Sequence, residues 1–217
     1  MKTAIIFDLD GTLLDTLGDL HAATNHVLAE FGYPPRSIGE VCSFVGNGAE
    51  QLIRQAVPAG VDHKPVLAAF QSWYAAHCDI LTAPYPGIPE VLATLEKDFP
   101  LAVVSNKPDR AVKELAKIYF PTLYARGESA DCPRKPAPDM VRMAMAALGA
   151  DHCIYVGDSE VDILTAKNVG VPCVCVTWGF RGEDALLAAG GQYLCRLPAD
   201  LPQTLQTVFH AIHSSDT

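Results

Sequence analysis

The chain has 217 residues, with 25 acidic and 16 basic side chains and a formal net charge of −9 at pH 7. Because 49% of the residues are apolar and only 19% are charged, wholesale disorder is excluded and a packed core in one or two domains is predicted. Nucleic acid and anionic membranes both require clustered basic residues, so the acidic balance predicts neither as a partner.

The first predicted element is a buried β-strand over residues 3–9, which leads into the motif DLDGT at residues 8–12. The spacing of two places Asp8 and Asp10 on the same side of the chain, at the strand end where parallel sheets bind ligands. Two neighbouring carboxylates repel each other unless a cation or a proton separates them. The motif also occurs in calcium loops, but the two leucines that follow supply no further oxygen ligand.

Residues 16–84 contain no predicted strand and have the pattern of consecutive amphipathic helices. Their apolar stripes are Leu20, Val27, Leu28 and Phe31; Leu52, Ile53, Ala56 and Val57; and Val66, Phe70, Trp73, Tyr74 and His77. A helical block of this length is long enough to be a small domain. We therefore predict a helical cap domain over 16–84, inserted into a body formed by 1–15 and 85–217.

The rest of the chain alternates between short buried strands and helices, which favours an α/β fold with a doubly wound parallel sheet. The predicted strands are 101–104, 123–125, 153–156, 171–177 and 193–195. The predicted helices are 109–119, 138–148 and 162–169.

Three further motifs follow these later strands. Ser105 and Asn106 provide a hydroxyl and backbone N–H groups at a predicted helix start, an arrangement that binds anions but also serves as an ordinary helix cap. Lys135 is followed directly by a proline, although a lone lysine is commonly a solvated surface residue. Asp158 and Asp162, four residues apart, could bind one cation together, or Asp158 could simply cap the next helix.

The order of these four motifs resembles the haloacid dehalogenase-like hydrolase superfamily, and the helical insert is similar to its C1 cap. Within subfamily I, the resemblance is to phosphoglycolate phosphatase-like members, and it covers almost the whole chain. It implies a Rossmann-like α/β core. The stretches that carry it are FDLDGTLLDT, VGNGAEQLIR, PYPG, SNK, RKPAP, VGDSEVDILTAKNVG and WGFRGEDAL. Residues 126–133 depart from the glycine-rich turn common in the family.

The resemblance implies a role for each motif residue. Asp8 would be the nucleophile that forms an aspartyl phosphate, and Asp10 would protonate the leaving oxygen. Ser105, Asn106 and Lys135 would bind the transferring phosphoryl group. The acid at position 10 argues against a dehalogenase, because cleavage of a carbon–halogen bond requires no protonation of the leaving group.

The resemblance also implies a metal site and a cap contact. Mg²⁺ would be held by Asp8, Asp158 and the backbone carbonyl of Asp10, with Asp162 behind them or bound through water. In the cap, Gly46 and Asn47 would lie in the loop that reaches the substrate, unless that loop is a plain helix-capping turn. Arg54 would pair with a substrate carboxylate, or be solvated. Arg181 is a loop residue beside the active edge, with no assigned role.

The predicted function is Mg²⁺-dependent hydrolysis of a small phosphorylated metabolite, and the resemblance favours 2-phosphoglycolate. Pyrophosphate, a sugar or nucleoside phosphate, and a phosphoglucomutase-like transfer stay open as alternatives. A non-catalytic binding or regulatory protein of this fold is a further alternative, against which the complete motif set counts. The seven cysteines share no regular spacing, and the N-terminal residues do not have the pattern of a signal sequence. We therefore expect a reduced cytoplasmic protein. We expect it to be a monomer or a weak homodimer.

Overall fold

The computed structural model describes residues 2–214, and its centre is a six-stranded parallel sheet. The strands of the described chain are β1 (Thr3–Phe7), β2 (Leu14–Asp15), β3 (Ala83–Pro84), β4 (Leu101–Pro108), β5 (Tyr124–Glu128), β6 (His152–Gly157), β7 (Cys173–Val176) and β8 (Tyr193–Cys195). The order across the large sheet is β5-β4-β1-β6-β7-β8, and all neighbours run parallel. β2 and β3 pair as a separate antiparallel ribbon.

Helices cover both faces of this sheet. They are α1 (Leu17–Glu30), α2 (Ile38–Phe44), α3 (Gly48–Ala56), α4 (Lys64–Ala75), α5 (Ile88–Leu95), α6 (Asp109–Tyr119), α7 (Asp139–Leu148), α8 (Glu160–Val169), α9 (Glu183–Ala188) and α10 (Leu201–Ser214). Of these, α2, α5, α9 and α10 were not among the predicted helices. No helix among residues 2–214 has the length and apolar character needed to cross a membrane.

The central strand β1 shows why the sheet is covered on both sides. Its five residues are all buried, and alternate side chains belong to two different cores. Ile5 and Phe7 pack in the core that includes residues of α5, α6 and α10, whereas Ala4 and Ile6 pack with residues of α7 and α8. Strands buried on both faces are apolar without alternation, which is the pattern that the sequence carries. The prediction of a doubly wound α/β fold is confirmed.

The inserted helices α1 to α4 pack against one another over the edge of the sheet that holds the site. The chain enters and leaves this block through the β2–β3 ribbon, where Leu14 pairs with Pro84 and Asp15 with Ala83. The buried carboxylate of Asp19 accepts hydrogen bonds from the backbone N–H of both Leu81 and Thr82. The division into a cap over 16–84 and a body stays a prediction.

One boundary differs from the sequence prediction in a way that affects the site. β4 continues through Ser105, Asn106 and Lys107 to Pro108, with its pairing to β5 interrupted between Val104 and Pro108. Helix α6 begins at Asp109, as the sequence predicted. Ser105 is therefore held by an extension of strand β4. The sequence pattern had predicted that it lies at a helix N-terminus.

Candidate active site

The carboxyl ends of the parallel strands meet at one edge of the sheet, and most of the motif residues converge there on one cavity. The cavity is partly open, and its empty space, including the part open to solvent, is about 630 Å³. The predicted site residues that line it are Asp8, Asp10, Gly46, Ser105, Asn106, Lys135 and Asp158. Asp162 lies beneath them and is fully buried, while Asn47 and Arg54 are not part of the lining.

An ammonium group bridges two of the carboxylates at the floor of the cavity. Nζ of Lys135 lies 2.8 Å from Oδ1 of Asp8 and 2.8 Å from Oδ1 of Asp162, and it donates to the Tyr155 hydroxyl at 3.2 Å. The lysine side chain is only 2% exposed, so the solvated-lysine alternative is excluded. Burial acts to lower the pKa of Lys135, but Asp162 and Asp8 outweigh it and raise that pKa above its ordinary value.

The acidic pair after β6 is fixed by its neighbours. Oδ2 of Asp158 accepts the backbone N–H of Phe180 at 2.7 Å. Asp162 lies in the first turn of α8, where its Oδ2 accepts the backbone N–H and the hydroxyl of Ser159 in a capping box. Ser159 is thus the N-cap residue, and Asp158 is free of the capping role that the sequence left open.

Three buried carboxylates form a group whose composition suits a hard cation. Asp8, Asp158 and Asp162 each offer an oxygen, and these oxygens lie within 4.8 Å of one another. Both oxygens of Asp162 are already bonded, Oδ1 to Lys135 and Oδ2 to Ser159. Carboxylate oxygens are the donors that Mg²⁺ and Ca²⁺ take in proteins, so the residues present fit such an ion.

The electrostatics of this group also favour a cation. Burial, reinforced by the charges of Asp162 and Asp10 and opposed by Lys135, raises the pKa of Asp8 to about 7. Burial, followed by the charges of Asp162 and Asp8, raises the pKa of Asp158 well above its ordinary range. One ammonium does not balance three buried carboxylates, and a bound dication would supply the missing positive charge.

Asp10 has a different environment from the other acids, because hydroxyl and ammonium groups surround it. Its Oδ1 accepts the hydroxyl of Thr16 at 2.6 Å and lies 2.7 Å from Nζ of Lys107. Its Oδ2 accepts the hydroxyl of Ser105 at 3.2 Å. Thr16 is the N-cap of α1 and the first residue of the helical insert, so the carboxylate of Asp10 is positioned from both the body and the start of that insert.

The structure adds Lys107 to the residues that line the cavity and gives the side chain of Asn106 hydrogen-bond partners within the protein. Lys107 was not proposed as a site residue, yet it lines the cavity and also donates to the hydroxyl of Tyr74 in α4 at 2.8 Å. Its spacing of two from Ser105 along an extended chain was the available signal. Nδ2 of Asn106 donates to the carbonyl of Lys135 and to that of Gly46, at 3.0 Å each.

The three predicted substrate-contacting residues of the helical block differ in whether they line the cavity. Gly46 lines the cavity through the turn between α2 and α3, whereas Asn47 does not reach it. Arg54 does not line the cavity: its side chain is 56% exposed and pairs with Glu50 one turn earlier on the same helix, 3.0 Å away, and its contact with a substrate carboxylate stays a prediction. The short spacing within α3 makes that partner available without any tertiary contact.

Arg181 acquires a defined position that its sequence context did not reveal. Its guanidinium donates to the carbonyls of Cys42 at 3.1 Å and Val45 at 2.6 Å, both at the end of α2. It also donates to Glu160 at 3.2 Å. The residue lines the cavity and connects the loop after β7 to the helical block.

Comparison with known proteins shows which proteins this chain resembles. A family model described as haloacid dehalogenase-like hydrolase matches residues 5–176. A phosphoglycolate phosphatase of Rhodobacter capsulatus is 38% identical over 193 residues, which cover 83% of this chain and 87% of the relative. One from Pseudomonas putida is 37% identical over 191 residues, or 82% of this chain and 70% of the relative.

A solved structure has a similar fold. A crystal structure from Lactobacillus delbrueckii subsp. bulgaricus, provisionally named a phosphoglycolate phosphatase, superposes with a TM-score of 0.86 and 36% sequence identity. The match covers 93% of this chain and 97% of that one.

Proposed function

The chain belongs to the haloacid dehalogenase-like hydrolase family, and from that premise we propose that it is a phosphatase that removes phosphate from a small phosphorylated metabolite, with 2-phosphoglycolate as its preferred substrate. The observation that carries the proposal is the contact of Lys135 with Asp8 at the floor of the cavity, beside the Asp158 carboxylate. This arrangement supports a nucleophile, a fixed positive charge and a cation site that share one cavity.

In this reaction Oδ2 of Asp8 attacks phosphorus, because the bonds from Lys135 and from the Leu9 N–H both fall on Oδ1. The P–O bond to the leaving group breaks as the aspartyl phosphate forms, and Asp10 protonates the leaving oxygen. Asp10 then accepts a proton from the water that attacks the aspartyl phosphate, which releases inorganic phosphate and restores Asp8. The Ser105 hydroxyl and the Lys135 ammonium stabilise the phosphoryl oxygens.

We propose a divalent cation at Asp8 and Asp158, with Asp162 supporting it from beneath; the carboxylate donors suit a hard dication, and the resemblance to the family favours Mg²⁺. When bound, it would neutralise charge on the phosphoryl group and so permit one anion to approach another. Residues 16–84 are proposed as a cap domain that excludes water from this cavity, supported by the position of α3, α4 and the 46–48 turn along its wall.

The proposal is tested by hydrolysis of p-nitrophenyl phosphate with Mg²⁺ and with EDTA. We expect Mg²⁺-dependent turnover in the wild type and a loss of at least roughly 10³-fold in kcat for Asp8→Asn, since the nucleophile is removed. Asp98→Asn makes the same chemical change at an exposed position and is the matched control. A wild-type chain that releases no phosphate from this ester or from a panel of phosphometabolites would overturn the proposal.

The same panel, ranked by kcat/KM, decides the substrate. We expect 2-phosphoglycolate to rank above pyrophosphate, hexose phosphates and nucleoside monophosphates. A higher rank for any of these would overturn the preferred substrate while leaving the phosphatase assignment intact.

A further inference from the structure

Among the residues that the structure describes, three positively charged side chains line the cavity, and one of the three bonds Asp10. Lys135 is held between Asp8 and Asp162. Arg181 donates to the backbone carbonyls at the end of α2 and to Glu160. The third is Lys107.

The ammonium of Lys107 has one N–H donor left for a ligand, and its surroundings keep it positively charged. Its side chain is 4% exposed, and Nζ bonds Oδ1 of Asp10 at 2.7 Å and the hydroxyl of Tyr74 at 2.8 Å. An ammonium has three N–H donors, so these two bonds leave one. Burial acts to lower the pKa of Lys107, but Asp10 and Tyr74 outweigh it and raise that pKa above its ordinary value.

The position of this ammonium suits a second anionic group on the substrate. Asp10 is proposed to bond the leaving oxygen, and in a glycolate leaving group the carboxylate carbon is only two bonds from that oxygen. A cation that bonds Asp10 is therefore beside the carboxylate of such a substrate. A charged hydrogen bond in a buried site is among the strong ones, which makes it an effective selector.

The helical block offers little to a polar, uncharged leaving group. Apart from Tyr74, whose hydroxyl accepts from Lys107, the large side chains that it contributes to the cavity are apolar and buried: Leu20, Val45, Leu52 and Phe70. The hydroxyl groups of a sugar would lose water against these apolar side chains without gaining hydrogen bonds. A short leaving group with one anionic end matches both the ammonium of Lys107 and this apolar lining.

We propose that Lys107 binds the carboxylate of the substrate and selects short phosphorylated carboxylic acids over uncharged phosphate esters. The inference rests on the proposed function, because it takes Asp10 to be the acid at the leaving oxygen. It adds the residue that recognises the non-reacting end of the substrate.

The test compares 2-phosphoglycolate with ethyl phosphate, which has the same carbon skeleton without the carboxylate. For Lys107→Met we expect the ratio of their kcat/KM values to fall by about 10- to 100-fold relative to the wild type. Lys107→Gln retains a donor for Asp10 and Tyr74 but has no charge, and its ratio is expected to fall as well. Lys113→Met, at an exposed lysine of α6, is the control and should keep the wild-type ratio.

A binding measurement separates recognition from chemistry. Titration calorimetry with 3-phosphonopropionate and with propylphosphonate compares two inert ligands that differ only in the carboxylate. We expect the wild type to bind the former more tightly and both Lys107 variants to lose that preference, with circular dichroism confirming their fold.

Equal losses on both substrates, with the calorimetric preference intact, would overturn the inference and assign Lys107 to Asp10 alone. A wild type that hydrolyses p-nitrophenyl phosphate but shows no preference for carboxylated ligands would also overturn it, while the phosphatase proposal stands. If the wild type were inactive, the phosphatase proposal would fail and the calorimetric comparison would still decide the role of Lys107.

Discussion

The side-chain amide of Asn106 pairs with the backbone of Lys135 in both directions. The Lys135 N–H donates to Oδ1 of Asn106 at 2.7 Å, and Nδ2 of Asn106 donates to the Lys135 carbonyl at 3.0 Å. Asn106 lies near the end of β4, and Lys135 lies in the loop between β5 and α7. This pairing fixes the start of the lysine side chain, and thereby the place where its ammonium meets Asp8.

Asn106→Ala is expected to lower kcat for p-nitrophenyl phosphate by roughly 10- to 100-fold, because the Lys135 ammonium loses its fixed position. The buried Lys135 N–H would also lose its acceptor, at a cost of about 1–3 kcal/mol in the free energy of unfolding. Steady-state kinetics and urea denaturation measure the two effects. Asn168→Ala is the matched control, since Asn168 makes one exposed hydrogen bond to the neighbouring Pro136 carbonyl. Similar kinetics for the two variants would contradict the positioning role.

Thermal stabilisation by Mg²⁺ is expected to depend on pH, with the larger effect above pH 7. An aspartate carboxyl ordinarily ionises near 3.8, but burial raises the pKa of Asp8 to about 7. Between these values the unfolded chain is ionised while folded Asp8 retains its proton, so metal-free stability falls as pH rises and levels off above pH 7. Metal binding requires the ionised carboxylates, so it strengthens over the same interval.

At a Mg²⁺ concentration about 100 times its Kd at pH 8, we expect a Tm increase of roughly 5–10 °C. The same Mg²⁺ concentration should raise Tm at pH 5 by less than about 2 °C, where the proton competes. Differential scanning fluorimetry with Mg²⁺ or EDTA measures both. Asp158→Asn should abolish the increase at pH 8. Equal increases at the two pH values would rule out these buried carboxyls as the metal site.

Gly179 is expected to tolerate no side chain, because a Cβ there would overlap the Asp158 side chain and the carbonyl oxygen of Gly11. Gly179→Ala should therefore displace Asp158, lower stability by about 1–3 kcal/mol and weaken Mg²⁺ binding. Gly182→Ala, three residues later, is the control, because its Cβ would meet no heavy atom within 4 Å. Mg²⁺ titration of activity measures the difference, and an unchanged Mg²⁺ midpoint for Gly179→Ala would refute this expectation.

Substitutions of Arg54 and Arg181 are expected to have different effects on the kinetics, although Arg54 lies in the helical block and Arg181 contacts it. Arg54→Ala should leave kcat/KM within about twofold of the wild type, because an exposed ion pair contributes little. Arg181→Ala should raise KM by roughly 10-fold, because the carbonyls of Cys42 and Val45 lose their charged donor and the adjoining cavity wall loosens. Kinetics with 2-phosphoglycolate decide this. A larger defect in Arg54→Ala would instead support the predicted contact of Arg54 with the substrate.

Much of the fold was accessible from local patterns. The uninterrupted apolar character of β1 and β6 predicted strands buried on both faces, and the structure confirms this. The short helices α2 and α9 were missed, because six or seven residues give too few turns for a clear apolar stripe. The extension of β4 through Lys107 was missed because its residues are polar and are held by the site.

The sequence by itself determined the buried strands of the parallel sheet and the acids that follow β1 and β6, because periodicity and spacing are properties of contiguous residues. Only the tertiary structure decided which charges meet. Lys135 contacts Asp8 and Lys107 contacts Asp10 across about a hundred residues of chain, while Arg54 turns to a neighbour on its own helix. Such contacts depend on how strands and helices pack, and no local pattern encodes that packing.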